Sequence, residues 1–215
     1  MSFWPLKPSM RSVLSGVSGL VPRDAARPAP SVPAALEFEV LYRDHFRFVW
    51  RTVRRLGIDG ARTDDVVQDV FLVVHRRLDG FEGRSSPKTW LYGIVRRVIA
   101  DRRRTQRRKP EDAAQLEPDA LRSPALGPEA SAEQAERVRL LHRLLAQLGD
   151  DKREAFVLAE LEGLTIAEIA EAIDANPNTV ASRVRAARRE FEAALERATQ
   201  HDVALARRIE EERPR

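Results

Sequence analysis

Apolar residues recur every three to four positions along most of the chain, and no stretch alternates with the period of two that a strand needs. Phe38, Leu41, Tyr42, His45, Phe46, Val49, Val53 and Leu56 share one helical stripe, which Gly57 and Gly60 close. A second helix is predicted from Thr63, read as its N-cap, with Asp64 and Asp65 in the first turn and an inner face of Val66, Val67, Val70, Phe71, Val74 and Leu78. After the loop "DGFEGRSSPK" a third is expected from about Thr89, carrying Trp90, Leu91, Ile94, Val95, Val98 and Ile99. The pattern returns near Ala135 with Val138, Leu140, Leu141, Leu144, Leu145 and Leu148. It runs again from Asp151 through Ala155, Phe156, Leu158 and Leu161 to a stop at Gly163. The expected fold class is all-α.

The stretch "TIAEIAEAIDANPNTVASRVRAARREF" holds two short helical patterns and a polar corner. Thr165 and Glu168 fit a capping box. The first helix turns Ile166, Ile169, Ala170 and Ile173 inward. Asp174, Ala175 and Asn176 form the corner, with Asn176 as cap and Pro177 at the first helical position. The second helix buries Val180, Val184, Ala187 and Phe191. Its remaining faces carry Asn178, Thr179, Ser182, Arg183, Ala186 and Arg189, flanked by Arg185 and Arg188. That is a helix-turn-helix, in which an angled helix can enter a major groove while arginines hold phosphates. A solvated arginine-rich hairpin is the plainer alternative.

Charge sharpens the expectation. Of the 215 residues 33% are charged, the basic ones are almost all arginine, and the formal net charge is +4. With a pI near 9.9, a polyanionic partner is expected. Between Arg102 and Lys109 the chain reads "RRRTQRRK", and then "PEDAAQLEPDALRSPALGPEAS" turns acidic and rich in Pro and Ala, the mark of a linker. Extended at about 3.3 Å per residue, roughly two dozen residues reach about 80 Å. There is no cysteine, which excludes disulfides and thiolate chemistry and suits a reducing cytoplasm. His45, His75, His142 and His201 lack ligand spacing, so neither a metal site nor a cofactor is expected. No clustered carboxylates, phosphate-cradling glycine loop or nucleophile setting suggests an enzyme. No apolar run reaches the roughly 20 residues that span a bilayer, so membrane insertion is not expected and the protein is read as cytoplasmic. The stretch from Met10 has a secretory flavour, but Ser12, Ser15 and Ser18 interrupt its apolar segment, and it is read as a disordered tail. A start at Met10 stays open.

Taken together, "TDDVVQDVFLVVHRRL", "SSPKTWLYGIVRRVIADRRR" and "LTIAEIAEAIDANPNTVASRVRAARREF" resemble, in order and spacing, regions 2.2, 2.3 with 2.4, and 4.2 of the extracytoplasmic-function (ECF) sigma factors, a group of the sigma-70 family. The resemblance spans about residues 36–199. It implies two small helical domains joined by a flexible linker: a disordered tail at 1–34, sigma-2 at 35–107, an acidic linker at 108–134, sigma-4 at 135–199 and a charged extension at 200–215. It also implies core RNA polymerase and promoter DNA as partners, and an anti-sigma factor as a regulator.

The same resemblance assigns residues. Asp65, Gln68, Asp69 and Leu72, at helical spacings beside the valine face, match the surface that docks on the polymerase clamp; physically they read as a solvated stripe. The loop Gly80 to Lys88 matches the pocket for an extruded minus-ten base, with Arg84, Ser85, Ser86 and Lys88 in it and Arg96, Arg97, Arg103 and Arg104 on the following helix; Arg102 joins them as a phosphate contact. Trp90 and Tyr92 invite stacking, although Trp90 reads better as core. The minus-35 set is Asn178, Thr179, Ser182, Arg183, Arg185, Ala186 and Arg189. Family members commonly have Asn where this chain has Arg97, Gly where it has Asn178 and Lys where it has Ala181, so a family promoter preference does not transfer. Glu111, Asp112, Glu117 and Asp119 in the linker match a segment that runs through the polymerase cleft, and read alone they form a solubilising spacer. The competing reading is a conventional helix-turn-helix regulator that acts without replacing a sigma subunit.

Overall fold

A computed structural model describes residues 37–58, 60–108 and 132–211, without the side chains of 61, 106–108 and 201–211. The tail at 1–34 and nearly all of the 108–134 linker therefore lie outside the described residues. Seven α-helices and no strand occur among the described residues: α1 Phe38–Arg55, α2 Ala61–Arg77, α3 Pro87–Arg108, α4 Ala132–Ala146, α5 Asp150–Phe156, α6 Ile166–Ile173 and α7 Pro177–Glu211. A 3₁₀ turn, Leu78–Gly80, extends α2, and a π turn, Val157–Leu161, extends α5.

Helices α1, α2 and α3 bury the faces that their periodicity sets. Val49, Val53, Val70, Val74, Leu91 and Val95 lie at the centre of this bundle with essentially no exposed surface. Three helix starts fall earlier than expected: α4 begins at Ala132 rather than near Ala135, and α2 and α3 shift for local reasons. α2 begins at Ala61 after Gly60, whose φ of 64° turns the chain into the helix without a side-chain cap. Thr63 is thus inside the helix, where its hydroxyl donates to the Ile58 carbonyl at 2.9 Å. α3 begins at Pro87, two residues before the expected Thr89, because the Ser86 hydroxyl accepts the Thr89 N–H at 3.1 Å and proline fits the first helical position.

The corner forms as read. The Thr165 hydroxyl accepts the Glu168 N–H at 3.2 Å, and the Glu168 carboxylate accepts the Thr165 N–H at 2.9 Å. Asp174 ends α6 in the left-handed region at φ 53°, and Asn176 Oδ1 accepts the Asn178 N–H at 2.8 Å to start α7. Behind the corner, Phe156 and Phe191 stack at 4.7 Å between ring centres, within a core that adds Leu141, Leu144, Leu145 and Leu148 from α4 and its C-terminal turn.

The two halves are not independent. α6 lies along α3, and one continuous apolar cluster runs from Leu91, Ile94 and Val98 to Leu158, Ile169, Ile173, Val180 and Val184. Six of the eight residues expected on the inner face of the helix-turn-helix belong to or pack against this cluster, and only Ala187 and Phe191 join the other core. Two separately cored bodies, the expectation from the linker, become two bodies that share a core in this structure.

Candidate nucleic-acid interface

Helix α7 presents the face that could meet a groove. Asn178, Thr179, Ser182, Arg185 and Arg189 are exposed, Ala186 is half-buried among them, and the Ser182 hydroxyl donates to the Thr179 carbonyl at 2.8 Å. Arg183 belongs to the same face, but its guanidinium donates to Asp151 at 2.6 Å. Arg188, alongside, donates to Glu160 at 2.5 and 2.8 Å, which locks α7 onto the turn that follows α5.

The predicted minus-ten residues divide into three groups. Arg84 is 82% exposed at the loop tip, where it pairs with Glu82, and Lys88 is exposed one turn away. Ser85 is half-buried, and the Ser86 hydroxyl caps α3. On α3, Arg97 is exposed and makes no ion pair among the described residues, and Arg104 pairs with Asp101. Arg96 and Arg103 instead reach α5: Arg96 donates to Glu154 at 3.2 Å and Arg103 to Asp150 at 3.0 Å. Arg102 also has a protein partner, donating to Asp69 at 2.5 and 2.8 Å.

Neither candidate stacking ring is free for a base. Trp90 packs half-buried against Phe81, 4.9 Å between ring centres, in keeping with its reading as core. Tyr92 is fully buried, and its hydroxyl donates to Glu154 at 2.6 Å. Burial, reinforced by the adjacent Glu154 carboxylate, raises the Tyr92 phenol well above its ordinary value.

A second surface lies on α1 and α2. Asp65 and Gln68 are exposed and Leu72 is 48% exposed, so three of the four predicted docking residues face outward; Asp69 is held by Arg102. Beside them runs a groove of about 420 Å³ lined by Phe38, Tyr42, Phe46, Phe71 and Leu72. Tyr42, read as part of the core stripe, is 41% exposed there and meets Phe71 edge to face at 4.6 Å. His45, on the same helix, is held below its ordinary value, first by burial and then by the Lys88 charge.

Sequence reasoning missed the polar contacts between the halves. Glu162, buried after the π turn, pairs with Arg55 and accepts from Arg51 at 3.3 Å. Burial lowers the Arg55 guanidinium from its ordinary value while Glu162 opposes that shift. Asp150, Asp151 and Glu154, at the start of α5, carry no assignment from the sequence beyond the helical pattern that begins at Asp151. Nothing in the chain's periodicity names the arginines they hold.

A helix-turn-helix with an open face, an arginine-lined helix in a second bundle and a separate polar stripe beside an aromatic groove define a helix-turn-helix protein with several distinct surfaces. Comparison with known proteins agrees. Residues 41–109 match the family model for Sigma-70 region 2, and residues 139–191 match that for Sigma-70, region 4. The ECF RNA polymerase sigma factor SigC of Mycobacterium tuberculosis is 34% identical over 140 residues, 65% of this chain and 73% of that protein. The RNA polymerase sigma-H factor of Pseudomonas aeruginosa is 30% identical over 166 residues, 74% of this chain and 86% of its own length. Among solved structures, the sigma factor RpoE in complex with the anti-sigma factor NepR from Bartonella quintana shares the fold, with a TM-score of 0.63 and 23% identity over 74% of this chain and 96% of that one. This chain belongs to the ECF sigma factors of the sigma-70 family.

Proposed function

We propose that this ECF sigma factor binds core RNA polymerase, recognises minus-35 and minus-ten elements of promoter DNA, and nucleates melting, with no catalysis of its own. Residues 35–107 act as the sigma-2 body and 135–199 as the sigma-4 body, tethered by 108–134 and working in the cytoplasm. The open α7 face of Asn178, Thr179, Ser182, Arg185, Ala186 and Arg189 is the observation that carries this reading, with Arg183 as a further contact. Arg84, Lys88, Arg96, Arg97, Arg103 and Arg104 supply the minus-ten side. Ser86 contributes there by fixing the start of α3, and Ser85 lines the loop. Asp65, Gln68, Asp69 and Leu72 form the polymerase-docking surface. The fold it shares with a sigma factor captured with an anti-sigma factor supports a protein regulator of the same kind for this chain.

The test mixes purified protein with bacterial core polymerase and a promoter library, then sequences the transcripts. Start sites should share upstream motifs at two fixed distances. Transcripts without a shared motif, or a chain with no affinity for core enzyme, would refute the proposal.

A further inference from the structure

The arginines of both DNA-facing elements converge on one short acidic segment. In the first turns of α5, Asp150 accepts from Arg103 at 3.0 Å, Asp151 from Arg183 at 2.6 Å, and Glu154 from Arg96 at 3.2 Å and from the Tyr92 hydroxyl at 2.6 Å. Arg96 and Arg103 belong to α3 and Arg183 to the recognition helix, so three carboxylates within five residues engage cations from two separate faces. Around them, a cavity of about 450 Å³ is lined by Tyr92, Arg96, Arg97, Arg103 and Arg104. Elsewhere between the halves, Arg51 and Arg55 of α1 close on the buried Glu162, and one apolar cluster is shared across them.

This arrangement is incompatible with occupancy of a two-element promoter. Elements centred near minus 10 and minus 35 are separated by roughly 25 base pairs, or about 85 Å at about 3.4 Å per pair. Arg103 and Arg183 instead sit on neighbouring residues, Asp150 and Asp151. Opening must come before engagement of both elements. Carboxylates opposite phosphate-binding arginines are also chemical substitutes for the backbone: each offers anionic oxygens to a guanidinium, as a phosphate does.

We infer that the acidic start of α5 is an intramolecular stand-in for promoter phosphates. It holds the free protein closed, with Arg96, Arg103 and Arg183 occupied, until polymerase binding draws the two bodies apart. The inference rests on the proposed promoter reading for the identity of the ligand, but closure itself does not. Asp150, Asp151 and Glu154 are the decoy, and Glu162 with Arg51 and Arg55 is the buried clasp.

Two measurements on the full chain test it. In the first, D150N/D151N/E154Q is compared with wild type for binding to promoter duplex without polymerase. E37Q/E39Q/D79N serves as a control with the same change in net charge at exposed sites away from the contact. The decoy variant should bind at least tenfold tighter than both. Its log–log salt dependence should steepen by up to about 2.7, at about 0.9 for each of three arginines released. Equal gains in the two variants, or no gain in either, would overturn the inference. In the second, cysteines are placed by G93C/A172C, in a chain that has none of its own. A Cβ at position 93 would lie 3.9 Å from the Ala172 carbonyl oxygen across the α3–α6 contact. A short bismaleimide should join the two thiols in the free protein, and the joined protein should fail to start transcription with core polymerase. Absence of cross-linking, or full activity of the joined protein, would overturn the inference. The promoter reading fails separately: R96A/R103A/R183A would then leave holoenzyme affinity for promoter unchanged while cross-linking persisted.

Discussion

Charge exchange across the Asp69–Arg102 pair separates a docking role from a structural one. Both side chains are partly exposed, 44% and 33%, with contacts at 2.5 and 2.8 Å joining α2 to α3. An exposed or half-exposed pair contributes about 0.2–1 kcal/mol, and a like-charge pair at the same site opposes folding by a similar amount. D69R should therefore cost roughly 0.5–2 kcal/mol, whereas D65R, at an exposed site, should stay within about 0.5 kcal/mol of wild type. With a urea m value of about 2 kcal/mol/M, D69R lowers the midpoint by roughly 0.3–1 M. The exchange variant D69R/R102D restores an attractive pair and should recover most of that midpoint. Core polymerase affinity behaves differently: D65R, D69R and D69R/R102D should all weaken it, because the outward charge stays reversed in each. Urea denaturation followed by circular dichroism, together with equilibrium binding to core enzyme, supplies both readings. Recovery of full polymerase affinity by D69R/R102D would show that Asp69 acts only by bracing α3 and would refute its place on the docking surface.

Three further outcomes follow from local geometry. N176A removes the acceptor for the Asn178 N–H and should cost about 1 kcal/mol of stability, read by thermal or urea unfolding, with minus-35 recognition weakened more than polymerase binding. F191A removes a fully buried ring stacked on Phe156 and should cost about 3–5 kcal/mol, enough that retained wild-type unfolding would contradict the core described for α4, α5 and α7. His45 is depressed in the folded state by burial and Lys88, so its contribution is present above its unfolded value of about 6.5 and is lost as pH falls through the lower folded value. Urea midpoints should thus decline on acidification below about pH 6.5, and H45Q should flatten that part of the profile.

Local chemistry was legible in the sequence wherever one residue decided one geometry. Thr165 with Glu168, and Asn176 with Pro177, each combine a side-chain acceptor with an orphan N–H three or two residues on, and both form as read. Ser86 with Pro87 is the same signal as Asn176 with Pro177, so the true start of α3 was available from the same rule. Thr63 misled because a threonine followed by two aspartates resembles a cap, while the glycine that turns the chain stands three residues earlier. Outward placement of Asp65, Gln68 and Leu72 followed from the valine face they flank, since a helix that buries Val66, Val67 and Val70 must turn its opposite side to solvent.

Periodicity names the buried face of a helix but not what buries it. Ile169, Ile173, Val180 and Val184 were rightly expected to be inside, yet a helix-turn-helix that keeps its own core would show the same spacing as one that shares most of it with the first bundle. The same ambiguity governs charge. Asp150 and Asp151 at a helix start are explained well enough by the helix dipole, and only the fold reveals that their oxygens lie against arginines 47 and 32 residues away. Glu162 is the residue where the two limits meet. It is a carboxylate nearly devoid of solvent, held by Arg51 and Arg55, and a charge so placed is tolerable only while its partners stay with it. Separating the two bodies must therefore return Glu162 to water or give it a new cation, so the sequence positions that join the halves are also the ones that decide how readily they part.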